Sequence, residues 1–473
     1  MKNRNTKHAP CLKFNTALLL LALPLALHAA PASSSWGTYL KPFAADSLWN
    51  SRPIAPELGS FQIPKSSYFP TVASGAYSAG VFLSKESDGP MVIRARQGKP
   101  GVWDPDAESH RDSVTIPHWP ADTMPATGSD GHADIVDPAT GIIHSFWQLK
   151  KIDGEWVAAL YAWMPIDGTG WADPAHYYQG ARAVGIPAFA GMIRKHEVND
   201  GEPVYKHALA MSLTFNGLSA KPAYIYPATS ADGRGSQPNS GAIPEGALLM
   251  LPADYDTSRI SSPALRKVAE TLKQYGAYVV DRNDGTPFVI YVENGSGFRM
   301  SKLPWDNSVA SELDRIRAAL RQVVSAKGWI DGNGRKFEPK KNFNLLSMRG
   351  PWRAAGEAPG RFDTWTQAVS FPASARRQVQ TKFIKGGFRQ VEWAKPAPGA
   401  ECRLTSIATG GARLRLRVQG NGDDKWLFDS GELGNGESRR FSCPADDTRI
   451  EIDAIGGTHG NSSVRGELVV AGE

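Results

Sequence analysis

From Ser129 to Trp163 the chain reads SDGHADIVDPATGIIHSFWQLKKIDGEWVAALYAW, three short alternating runs joined by two turn signals. Asp153-Gly154 is a two-residue hairpin signal, because both central positions of such a turn need a positive φ. It sets Ile152 opposite Glu155, and by extension Gln148 opposite Ala159, Phe146 opposite Tyr161 and His144 opposite Trp163. The preceding DPATG loop, Asp137 to Gly141, is expected to set Asp134 opposite His144 and His132 opposite Phe146. Side chains alternate along a strand. One face is therefore expected to gather Asp130, His132, Asp134, His144, Phe146, Gln148, Tyr161 and Trp163, and the other Ile135, Ile143, Trp147, Leu149 and Leu160. The second set is a core face. The first reads as the floor of a binding site.

The rest of the chain fits the same class. From Trp36 to Pro125 short apolar runs alternate with Pro and Gly, which spells short strands and long loops. Ser230 to Gly241 is a glycine- and serine-rich stretch expected to form a rim or lid. Helices are expected at Ser262–Gly276, with Ser262-Pro263 as its start, and at Ser308–Lys327. Strands are expected at Tyr278–Asp281 and Pro287–Glu293. Beyond Trp365 the strictly alternating RLRLRV and TRIEIDAI mark an all-β module. The expected fold is mainly β, with a jelly-roll-like sandwich at 36–350 and a few peripheral helices. A linker at 351–365 and a smaller β-sandwich at 366–473 would follow.

Lys2, Arg4, Lys7 and Lys13 precede the apolar run Ala17–Leu27, and small residues follow it. This is the pattern of a secretory signal, expected over 1–29, and it is too short to span a bilayer. Export to the periplasm or beyond is expected, without membrane insertion. Removing the signal leaves 49 Lys and Arg against 47 Asp and Glu, a balance of +2 without a basic stripe, so nucleic acid is not an expected partner. It also leaves two cysteines, Cys402 and Cys443, expected to form a disulfide.

Three kinds of chemistry fit the polar face. Hydrolysis of a glycosidic bond needs one protonated and one ionised carboxyl; Asp134 is the candidate for the ionised partner and Glu197, near His207, for the acid. A uronate lyase needs a base and neutralising groups, which His132, His144, His207, Tyr177, Tyr178 and Arg182 offer. Binding alone would use Phe146, Tyr161 and Trp163 as stacking platforms, with Asp130, His144, Gln148, Tyr178 and Arg182 at hand for hydroxyls. A metal at the Asp130-x-His132-x-Asp134 array, with His144 opposite, would suit zinc or manganese better than calcium, but no HExxH or EF-hand pattern strengthens it and no cofactor is expected. A P-loop, a GxSxG elbow and a GxGxxG fingerprint are all lacking, which argues against nucleotide enzymes and serine hydrolases.

The acidic strand SDGHADIVD, the aromatic strands HSFWQL and AALYAW, and KHEVNDGEPVYKHAL together resemble secreted carbohydrate-active enzymes with a β-jelly-roll catalytic domain and an appended β-sandwich. The resemblance implies a polysaccharide partner and a degradative activity, hydrolase first and lyase second, with a glycan-binding protein as the other class. The ExDxE, RxExR and QIH motifs of jelly-roll glucanases and alginate lyases are absent. Oligomeric state is not indicated.

Overall fold

The computed structural model describes residues 36–473, apart from 174–175, 234, 236, 342, 356–359, 386–391, 398, 421–424, 445–447 and 472–473. The expected signal segment lies outside the described residues. The chain from Trp36 onward forms a single compact unit. It is mainly β, built of stacked sheets without a barrel.

Four layers follow from which apolar residues meet. The central sheet has the spatial order Gly80–Leu83, Ala133–Asp137, Ile142–Trp147, Leu160–Pro165, Val102–Asp104, Ser109–Arg111. One of its faces (Phe82, Ala133, Ile135, Phe146, Tyr161) packs on a four-stranded sheet through Ile93, Ile116, Trp119 and Trp156. The other face (Val81, Val136, Ile143, Met164) packs on a seven-stranded sheet through Ala208, Ala210, Leu248, Met250 and Tyr278. Beyond that sheet, Leu209, Met211, Leu249, Val279 and Ile290 meet the helices Pro263–Gln274 and Asn307–Ala319.

Local chemistry explains the helix ends. The Ser262 hydroxyl accepts the Leu265 N–H, and the Asp306 carboxylate accepts those of Ser308 and Val309. The second helix is shorter than expected. Leu320 turns extended, and Arg321–Ser325 becomes a strand beside Leu248–Met250, so its Val323 serves a sheet rather than a helical stripe.

The C-terminal part is a sandwich of a six-stranded and a four-stranded sheet around Trp352, Leu404, Leu416, Ile452 and Leu468. Its core begins at Leu345. The segment expected as a linker is instead a hairpin, in which Gly350–Ala355 pairs with Gly360–Thr364. Cys402 and Cys443 are joined, with Cα atoms 5.0 Å apart. A buried cluster ties this sandwich to the preceding sheets. The Arg349 guanidinium reaches Asp104 at 2.9 Å and Asp106 at 2.7 Å, while Asp106 also accepts the Tyr177 and Tyr178 N–H groups.

Candidate functional site

The central ribbon folds with one of its two hairpins in the expected register. Ile152 pairs with Glu155, Phe146 with Tyr161 and His144 with Trp163. The other hairpin is displaced by one residue. Asp137 pairs with Ile142, so the loop holds four residues, and Asp134 faces Ser145 while His144 faces Ile135. A one-residue displacement turns every side chain to the opposite face. Asp134 therefore leaves the aromatic set and lies fully buried on the other side, its carboxylate accepting the Phe189 N–H at 2.7 Å. Burial pushes this carboxyl up to about 6.

The aromatic face is not a floor either. Phe146 and Tyr161 are core residues between two sheets, with Trp119 edge-on to Phe146 at 6.0 Å. His144 receives or gives a hydrogen bond at the Tyr161 hydroxyl, 2.9 Å away, and burial drops it to about 4, so it is neutral at pH 7. Trp163 stacks obliquely on His176, 4.3 Å between centroids. Gln148, at φ 54°, accepts from the Arg96 guanidinium.

Glu197 and His207 pair in a separate cavity of about 380 Å³. His207 faces the Ala208 carbonyl with Nδ1 at 2.8 Å and the Glu197 carboxylate with Nε2 at 3.2 Å. Neither oxygen can donate, so both ring nitrogens must, and the ring is an imidazolium. Burial works to raise Glu197, but the His207 charge and hydrogen bond and the Arg194 N–H bring it down to about 2. A carboxyl held that firmly ionised is a poor proton donor.

The chemistry gathers elsewhere, in a groove of about 720 Å³ at the polar ends of strands from the seven-stranded sheet. Strand Ala277–Asn283 is apolar from Ala277 to Val280 and then turns polar at Asp281, Arg282 and Asn283. It pairs in parallel with Leu209–Thr214, which brings Ser212 opposite Asp281. The glycine-rich stretch read as a rim delivers Asp232 to the same place. One backbone N–H, that of Arg282, lies 2.8 Å from Asp232 Oδ2 and 3.1 Å from Asp281 Oδ1, so the two carboxyls share it.

The two acids have different surroundings. Asp281 accepts from the Arg182 guanidinium at 2.7 Å and the Tyr291 hydroxyl at 3.1 Å. Arg182, itself buried, lies 3.9 Å over the Tyr291 ring and also donates to the Ala188 carbonyl. For Asp232 the group that favours the ionised form is the Arg282 backbone N–H. Burial, then the Asp281 charge and hydrogen bond, and more weakly Asp130, push it up to about 8. Glu245 stands behind, accepting the Asp232 N–H, and is raised by burial and by the charges of Asp232 and Asp281.

Of the residues expected in a site, Asp130 lines this groove, its carboxylate accepting the Trp147 indole N–H at 3.2 Å. His132 is buried within electrostatic reach of Arg182, Asp281 and Asp130; burial and then Arg182 lower it to about 4. Its Nδ1 faces the Phe146 carbonyl at 3.3 Å, so Nδ1 carries the proton and Nε2 keeps a lone pair. Tyr178 is raised by burial and by Asp232, Asp281 and Glu245, and donates its hydroxyl to the Arg182 carbonyl. The groove thus has Asp130 in its lining, with Arg182 behind Asp281 and His132 and Tyr178 nearby. Asp134, His144, Phe146, Gln148, Tyr161, Trp163, Glu197 and His207 are not among its lining residues. Among the described residues no group of three or more His, Cys, Asp or Glu is arranged to hold a metal ion, and no helix is long and apolar enough to cross a membrane.

No family model matches the chain, and no curated protein matches it. Comparison with solved structures returns small overlaps. TmCBM61 in complex with beta-1,4-galactotriose overlaps 25% of this chain and 88% of its own, at 10% identity and TM-score 0.16. Accessory secretory protein 1, 2 and 3 from Streptococcus pneumoniae overlaps 22% and 85%, at 9% and 0.14. The enzymatically active domain of bacteriophage CBA120 tailspike protein 4 overlaps 25% and 18%, at 12% and 0.15. Likenesses this slight carry no weight for fold or ligand.

Proposed function

We propose that the protein is an exported glycoside hydrolase acting on a neutral or amino-sugar polysaccharide, with its centre at Asp232, Asp281 and Asp130. The observation that carries this reading is the carboxyl pair on one backbone N–H at the wall of an open groove. Two acids so close cannot both ionise readily, so one keeps a proton at neutral pH. Asp281, held by Arg182 and Tyr291, is the partner that stays an acceptor. Asp232 then supplies the proton to the departing sugar oxygen.

Acid and base of a glycosidase stand about 5–10 Å apart. Asp232 and Asp281 are too close for both roles, and Asp130 is the candidate for the second carboxyl. It reaches Asp232 through its charge alone. The half-exposed Asp130 would act on water or on the anomeric carbon. The groove adds the exposed ring of Tyr77 and the polar groups of Ser74, Ser129, Asn283 and Thr286, a mixture that suits pyranose faces and hydroxyls. In this reading residues 36–350 hold the catalytic part and the C-terminal sandwich is an appended module.

A uronate lyase is the weaker reading on electrostatic grounds. Among the described residues, Asp130, Asp281 and Asp284 line the groove beside the protonated Asp232, with Arg282 as the one cation. Such a field repels a polyuronate.

The test is incubation of the purified protein with xylan, galactan, chitosan and alginate, following reducing ends and unsaturated-uronate absorbance separately. New reducing ends without unsaturated product are expected, and Asp232→Asn should lower kcat by about 10²–10⁴-fold. Unsaturated product, or no product on any glycan, would overturn the assignment.

A further inference from the structure

A second cleft, of about 480 Å³, opens on the other side of the turn that bounds the groove. It is lined by the large apolar side chains Tyr68, Phe69, Leu303 and Trp305, each more than half exposed. Exposed rings of this size in one patch are uncommon on a surface that binds nothing.

Two details show that the rings are held in place. Phe69 and Trp305 meet edge to face, with centroids 5.3 Å apart and planes at 70°. The Trp305 indole N–H is satisfied by Asn307 Oδ1 at 2.7 Å, the first residue of a helix capped by Asp306. The ring is thus anchored by its polar edge and remains more than half exposed.

Groove and cleft are joined by one short turn. The Tyr68 N–H donates to the Gly285 carbonyl at 2.9 Å, and a Cβ on Gly285 would stand 3.1 Å from the Tyr68 ring. The neighbours of Gly285 on both sides, Asp284 and Thr286, line the groove. From the cleft, strand Thr71–Ala73 runs directly into the Ala73–Ser78 wall of the groove, ending near the exposed Tyr77. The exposed rings of Tyr77 on the groove and of Tyr68 on the cleft therefore stand at the two ends of one short connection of strand and turn.

We infer that the cleft of Tyr68, Phe69 and Trp305 is a distal subsite, binding sugar units of the same neutral or amino-sugar chain whose cleavage point lies in the groove. This rests on the glycosidase reading. Flat, pre-oriented rings match the apolar C–H faces of pyranoses at low entropic cost. Polymers would span both sites, and short oligosaccharides would fill the groove alone.

The test uses Trp305→Ala and Tyr68→Ala in the full chain, on whichever polymer the panel identifies and on its trisaccharide. Each substitution is expected to raise KM for the polymer by about three- to tenfold, leave kcat and the trisaccharide KM unchanged, and keep the melting temperature. An unchanged polymer KM, or equal losses on polymer and trisaccharide, would overturn the subsite. Retardation in native gels containing each polymer is read alongside, and Asp232→Asn is included there. If no glycan is cleaved, the glycosidase reading fails, while retardation lost in Trp305→Ala and kept in Asp232→Asn would still support a glycan site at the cleft. No retardation by any polymer, or a self-association in sedimentation that Trp305→Ala abolishes, would overturn it in favour of a second copy as occupant.

Discussion

At the scale of single residues, protonation separates the two acidic sites. Asp232 binds its proton more tightly in the folded chain than in the unfolded one. Its stabilising contribution is therefore complete below the ordinary carboxylate range near about 4 and is lost as pH rises through about 8. Activity that needs this proton should follow the same upper limb, falling above about 8. A pH–rate profile would show it, and the thermal midpoint of Asp232→Asn should fall less than wild type across that window. Glu197 has the opposite sign. Its contribution is present above its unfolded value near about 4.3 and vanishes as pH falls through about 2. Glu197→Gln should keep turnover and lose about 1–3 kcal/mol of stability at neutral pH, measured by denaturant titration. Loss of turnover at unchanged stability would return Glu197 to the catalytic candidates.

At the scale of elements, the loop from His176 to Met192 carries Arg182 to Asp281 and presents the Phe189 N–H to Asp134. It turns so tightly that a Cβ on Gly180 would stand 1.7 Å from the Ile186 carbonyl carbon. Gly180→Ala should cost about 3 kcal/mol or more, read as a lowered melting temperature. An unchanged melting temperature would mean the loop is free to yield. The ribbon shows what could be read from the residues alone. Asp153-Gly154 admits one loop length, so Phe146 and His144 met their expected partners. The DPATG loop admits three residues or four, and that single ambiguity moved Asp134 to the opposite face. Phe146 and Tyr161 looked like a binding surface because an isolated ribbon does not reveal that a sheet packs on each side of it. Asp232 and Asp281 stand 49 positions apart and meet only through tertiary structure. The trace they left was an apolar strand ending in Asp-Arg-Asn-Asp-Gly and an acid inside a glycine-rich loop.

At the scale of the whole molecule, Arg349 is the fastening between the C-terminal sandwich and the sheets before it. It is almost wholly buried against Asp104 and Asp106. Removing one member of a buried charged set leaves the others uncompensated, at about 3–5 kcal/mol. Arg349→Leu should lower the main unfolding transition and, by scanning calorimetry, split it into two. A single transition at the wild-type temperature would show that other contacts suffice.

The four-layer order has a consequence for how this protein would exchange its amide hydrogens. Strands Ala133–Asp137 and Ile142–Trp147 have neighbours on both edges and a packed layer over each face. Solvent deuterium can reach their N–H groups only when the layers come apart. Their exchange rates should therefore be the slowest in the chain and report global opening. The turn at Asp284–Thr286, between groove and cleft, should exchange by local fluctuation and slow when a glycan occupies either side.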